Sequence, residues 1–173
     1  MSREPARLPR TIAEFAAQAY ALEAEAADRY AELADLMRSH HNAPVAALFD
    51  KLARLEGLHR DKLRDRLTGP VPGDAGTFRW QTPEGPETTD YADLHYLMTP
   101  WHALKLAEHN EQRAVAFFEH LAVADVPEDV RAEALEMVAD EREHVRLVQE
   151  WLAKLPEPGP GWDEDPDPPN VVD

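Results

Sequence analysis

The chain contains no cysteine. That absence excludes disulfides, zinc fingers, cysteine-ligated iron–sulfur clusters and a rubredoxin-type iron centre within these 173 residues. Basic residues are scarce, with 18 Lys+Arg against 34 Asp+Glu and a formal net charge of −16. Such a balance speaks against a nucleic-acid binder, whose phosphate contacts need clustered Lys and Arg. No apolar run approaches the roughly 18 residues of a membrane span. The opening MSREPARLPR lacks the apolar stretch of a secretory signal. A soluble, cytoplasmic protein is expected. Glycine is sparse and uneven: four of the seven fall between Gly69 and Met98.

What remains suits one domain with a sizeable core and a tail. Residues 1–155 carry 28 acids and 18 bases, a net of −10, and six further acids lie in 156–173. That last stretch, PEPGPGWDEDPDPPNVVD, is acidic, proline-rich and poor in apolar residues. It buries too little to offset ordering entropy, which predicts a disordered or surface-draped tail, with Trp162 the candidate anchor.

Four stretches show helical period, over about 11–39, 42–68, 100–124 and 127–154. Thr11-Ile12-Ala13-Glu14 reads as a capping box, and Asn42 with Pro44 opens the second helix. Thr99-Pro100 opens the third, and Asp125 with Pro127 and Glu128 opens the fourth. The joints at Ser39–Asn42 and Ala124–Pro127 are short enough to force two antiparallel hairpins. Residues 69–99 form a crossover long enough to run the length of the bundle, with room for a short helix near Asp90–Met98 or for use as a lid. The expected fold is all-α: an antiparallel four-helix bundle of two hairpins joined by a long crossover.

Carboxylates interrupt faces that should be core. The inward stripe of the second helix runs Phe49, Leu52, Ala53, Glu56, His59, Leu63, and that of the fourth Ala134, Met137, Val138, Glu141, His144, Val148. In both, a Glu and a His three apart lie side by side. Glu23 shares a stripe with Ala16, Ala27, Tyr30 and Ala34, and Glu111 with Ala107, Ala114, Phe118 and Ala122. The chain therefore holds two copies of a helix with one inward Glu followed by a helix with ExxH. One ExxH on a Glu-rich helix is common by chance; two, in register with two lone inward Glu, are not.

Burying four carboxylates uncompensated costs several kcal/mol each. Either the face is wet or cations sit there. Two divalent ions would supply +4, and oxygen donors with one imidazole per ion suit iron or manganese. Glu23, Glu56, His59, Glu111, Glu141 and His144 match the ligand set of known di-iron and di-manganese carboxylate bundles. Glu108, one turn before Glu111, is a candidate seventh ligand, an alternative ligand after a redox change, or an edge residue. Glu25 falls on the polar side of its helix, and His40, His41, His102, His109 and His120 read as surface residues.

Glu23 followed by Arg29-Tyr30, the segments Leu55-Glu56-Gly57-Leu58-His59 and Asp140-Glu141-Arg142-Glu143-His144, and the pair Glu108-His109-Asn110-Glu111 resemble the rubrerythrin branch of the ferritin-like superfamily, over about Thr11–Leu155. The resemblance implies a di-iron centre, with manganese or zinc as other occupants, often in a homodimer, that reacts with hydrogen peroxide or dioxygen. The six ligands would then be catalytic through the metals, with Tyr30 beside them. Two features depart from the family. No cysteine is present to build its electron-donating rubredoxin module, so an external electron donor is implied. Phe118 also stands at the position that mirrors Tyr30, where the family often has a tyrosine. A peroxidase or ferroxidase is the first functional reading; non-catalytic iron binding or delivery, and a structural metal-bound bundle, are the others.

Overall fold

The computed structural model describes residues 8–67, 88–89 and 93–165. Among these lie four helices, α1 (Ile12–Ser39), α2 (Ala43–Arg66), α3 (Pro100–Val123) and α4 (Glu128–Leu152), and no strand. α1 packs along α2 and α3 along α4, while slimmer seams join α2 to α3 and α1 to α4. The result is an all-α bundle of two hairpins. No helix among the described residues is long and apolar enough to cross a membrane.

Local chemistry sets the helix ends. Thr11 Oγ1 accepts the Glu14 N–H at 3.1 Å, and the Glu14 carboxylate reaches back to the Arg10 N–H at 2.6 Å. α1 closes in a Schellman motif, His41 N–H to Arg38 C=O and Asn42 N–H to Met37 C=O, with His41 in the left-handed region at φ 58°. Asn42 then caps α2 and donates its amide to Tyr96 C=O and Met98 C=O, tying the end of the crossover to the first turn. α4 starts differently from the sequence expectation. Its cap position is Pro127, without a side-chain acceptor, and Asp125 instead pairs with Arg10. Glu128 and Asp129 place negative charge at the amino end of the helix in compensation.

The core divides in two. One cluster gathers Phe15, Leu22, Leu63, Phe118, Val130 and Met137. The other gathers Tyr30, Leu33, Phe49, Leu52, Leu104 and Val148. On every helix the carboxylate in question falls between residues of the first cluster and residues of the second, so the bundle has a polar waist. The two hairpin turns lie at opposite ends: Arg10, at the start of α1, donates to Asp125 C=O in the α3–α4 turn at 2.8 Å.

Most of the crossover lies outside the described residues, as do residues 90–92 of the short helix expected near 90–98; residues 93–99 form a turn in which Met98 N–H meets His95 C=O. Of the tail, 156–165 is described, and Trp162 packs on the second cluster with its ring 3.8 Å from that of His102. His102 is thus half-buried rather than a plain surface residue, whereas His40, His41, His109 and His120 are exposed.

Candidate metal centre

Each helix brings one glutamate to the waist, and all four are buried: Glu23 at 1%, Glu56 at 2%, Glu111 at 1% and Glu141 at 0% exposure. Their apolar neighbours at helical spacing put them on the core-facing side of each helix. His59 Nδ1 lies 3.4 Å from Glu56 and 3.9 Å from Glu23. His144 Nδ1 lies 3.0 Å from Glu141 and 3.3 Å from Glu111. The structure therefore brings together all six residues singled out by their spacing. Two groups have donor atoms close enough to share an ion, Glu56–His59–His144 and Glu111–Glu141–His144, with His144 in both.

These groups are short of partners. The buried side-chain polar atoms without a hydrogen bond among the described residues are both oxygens of Glu23, one each of Glu56, Glu111 and Glu141, and His59 Nδ1. Buried polar atoms are otherwise satisfied almost without exception. That the orphans are all carboxylate oxygens and an imidazole nitrogen, converging on one waist, fits a cation-binding site. Carboxylate oxygens combined with imidazole nitrogens suit iron or manganese, and zinc is compatible.

Protonation reports the same crowding. Burial, then the charges of Glu141 and Glu56, hold the Glu23 carboxyl well above its ordinary value. Burial lifts Glu111 to about 8, against the opposing pull of the His144 ring beside it. Burial would lower His144, but the adjacent carboxylates of Glu111 and Glu141 prevail and raise it to about 10. Without metal the waist therefore holds extra protons.

Glu108 is not in this set. Its carboxylate accepts from Lys105 Nζ at 2.5 Å and Gln149 Nε2 at 2.9 Å, and the Lys105 bond lowers its pKa. In this arrangement it is an edge residue. Glu25 departs from the solvated reading: it is half-buried and accepts from Thr88 Oγ1 at 3.1 Å.

Sequence reasoning missed Asn110. It is buried at 2% exposure and donates to Tyr30 Oη at 3.2 Å and Thr89 Oγ1 at 2.6 Å, joining α1, α3 and the crossover. A signal was present, since Ala103, Ala107, Asn110 and Ala114 recur at intervals of four, three and four on one stripe. Phe118, the counterpart of Tyr30, is buried in the first apolar cluster, with the rings of Phe15 6.0 Å and Phe117 5.1 Å away.

A cleft of about 350 Å³ opens from the waist between α2 and α4, with Glu23, Glu141, His59 and His144 at its floor.

The chain matches the family model described as Rubrerythrin over residues 14–155. It is also similar to the crystal structure of an uncharacterized conserved protein from Magnetospirillum magnetotacticum. That similarity has 39% sequence identity and a TM-score of 0.62, and covers 86% of this chain and 98% of the other. We found no match among curated proteins.

Proposed function

The chain belongs to the rubrerythrin family, and from that premise we propose that it is a di-iron carboxylate protein that reduces hydrogen peroxide or dioxygen. The observation that carries this reading is the convergence of orphaned donor atoms at the waist. Glu23, Glu56, His59, Glu111, Glu141 and His144 would hold the metals. Two iron ions bound there would supply electrons to the oxidant while their +4 offsets the four carboxylates.

The protein's own residues set the conditions. The two apolar clusters close the waist above and below, so the cleft is the way in for a small oxidant. Glu23 and Glu111, whose pKa values are raised, release protons when a cation replaces them. The Glu141 carboxylate lies 3.0 Å from His144 Nδ1 and helps to fix that ring at the cleft. Reduction of peroxide to two waters consumes two electrons and two protons. With no cysteine in the chain to ligate an electron-donating iron, the electrons come from an external donor. A homodimer is the assembly in this reading, checked by mass measurement in solution.

Anaerobic loading with ferrous iron followed by peroxide titration tests the proposal. The expected result is a near-ultraviolet absorption of oxidised iron that peroxide produces and a reductant removes. No spectral change in iron-loaded protein would overturn it. The lack of a cysteine-ligated donor favours a second reading, iron binding or delivery, in which the absorption appears once but added reductant sustains no turnover.

A further inference from the structure

Among the described residues the waist is closed on every side but one. The two apolar clusters cover its ends, while α1 packs along α2 and α3 along α4. Between α1 and α3 the crossover residues Thr88 and Thr89 are buried, at 1% and 3% exposure. Arg29 of α1 donates to Thr89 C=O at 3.0 Å and Arg113 of α3 to Thr88 C=O at 3.1 Å. With the Asn110 bond to Thr89, these contacts fix the crossover over that side. The cleft between α2 and α4 is left, so a metal ion held at the waist has to arrive through it.

That cleft carries more acid than base: Glu23 of α1 and Asp140, Glu141 and Glu143 of α4, against Lys62 and Arg66 of α2. Glu23 and Glu141 are buried at its floor, where both Glu23 oxygens and one of Glu141 lack a hydrogen-bond partner. At the rim, Arg66 is engaged by Glu133 and, at 3.8 Å, by Glu136, and Glu143 accepts from Arg146 Nε at 2.7 Å. Two rim charges remain without an ion pair among the described residues: Asp140 and Lys62, both exposed and on opposite walls. Asp140 directly precedes Glu141 and stands one turn from His144 on the same side of α4. The internal repeat does not demand an acid there, since the equivalent place in α2, four residues before His59, is Leu55.

We propose that Asp140 is the entry residue of the metal centre, taking up a divalent cation at the mouth of the cleft and yielding it to the buried donors below, while Lys62 on the facing wall opposes that uptake. The proposal deepens the metal-centre reading and rests on it. Carboxylates are the ordinary ligands of hard divalent ions. A single exposed one holds such an ion weakly and gives it up to the converging set at the floor. A rim charge acts on the rate of association and its salt dependence more than on the final affinity.

Stopped-flow mixing of the metal-free full chain with excess cobalt(II) reads the uptake rate from visible absorption, and metal analysis reads the amount bound. Asp140→Asn should lower the rate about threefold or more, with bound cobalt and the final spectrum unchanged. Lys62→Met should raise it. Salt should slow the wild-type chain more than Asp140→Asn. Asp28→Asn is the control: it removes the same charge from an exposed position in the groove between α1 and α2 and should leave the rate as it was. A rate unchanged by Asp140→Asn, lowered as much by Asp28→Asn, or not raised by Lys62→Met overturns the proposal. Loss of bound cobalt at saturation in Asp140→Asn would make Asp140 a resident ligand, which overturns it as well. A wild-type chain that takes up no cobalt refutes the metal centre itself, whereas normal uptake at a rate indifferent to Asp140 refutes the entry role alone.

Discussion

The imidazole rings of His59 and His144 lie face to face, with centroids 4.1 Å apart and planes within 5°. One ring comes from each hairpin, so the stack joins the two halves of the bundle at the waist. The two roles are unequal, because His144 belongs to both candidate ion-binding groups and His59 to one.

Metal stoichiometry should expose that inequality. His59→Ala should retain about one ion per chain at reduced affinity, while His144→Ala should lose both, as read by metal analysis after dialysis. Identical losses in the two variants would refute the shared role of His144.

Stability and affinity should move in opposite directions at Glu23. Both its oxygens lack partners, and its neighbours are negative. Glu23→Gln removes a carboxyl whose ionisation the site opposes and should stabilise the metal-free protein at alkaline pH, by about 1–3 kcal/mol. The same change should weaken metal binding. Urea unfolding with and without metal measures both.

The pH dependence of stability should disappear on metal loading. Folding raises the Glu111 pKa from 4.5 to about 8, so the stability this group contributes is complete below 4.5 and is lost as pH rises through 8. Glu23 acts in the same sense. His144, raised from 6.5 to about 10, keeps its contribution to higher pH and loses it across that window. The Tm of metal-free protein should therefore fall by several degrees between pH 5.5 and 8.5. Metal-loaded protein should not show this fall, since its ligands are held deprotonated.

Asn110 and Phe118 make a contrasting pair. Asn110→Ala strips a buried bond from both Tyr30 and Thr89 and should cost about 1–3 kcal/mol. Phe118→Tyr should also destabilise, because Phe118 is fully buried among apolar residues and no polar group there is shown to receive a hydroxyl. Thermal unfolding of the metal-free proteins separates these effects from the metal's.

His41 holds φ 58° at the end of α1, a conformation that costs a residue with a Cβ roughly 1–2 kcal/mol. His41→Gly should raise Tm by about 2–4 °C, allowing for the backbone entropy of glycine. A fall in Tm would mean that the exposed ring contributes more than the strain removes.

Much of this molecule was legible along the chain. The caps at Thr11 and Asn42 and the stripes carrying Glu23, Glu56, Glu111 and Glu141 depend on neighbours within a turn or two, which is the range of helical periodicity. The same angular argument placed Glu23 inward, where the structure also buries it. It was less accurate for Glu25 and His102, because the groups that cover them, Thr88 and Trp162, arrive from about sixty residues away.

Sequence alone determined which residues could face a core, since a side chain's direction around a helix is set by its own backbone. Only the tertiary structure decided what each inward polar group meets. Glu108 and Glu111 stand one turn apart on α3, yet Lys105 and Gln149 engage Glu108 while Glu111 turns to His144. Asn110 becomes a tie between α1 and the crossover for the same reason. A hydrogen bond or a shared ion needs atoms within about 3 Å, and that distance is set by how the two hairpins pack.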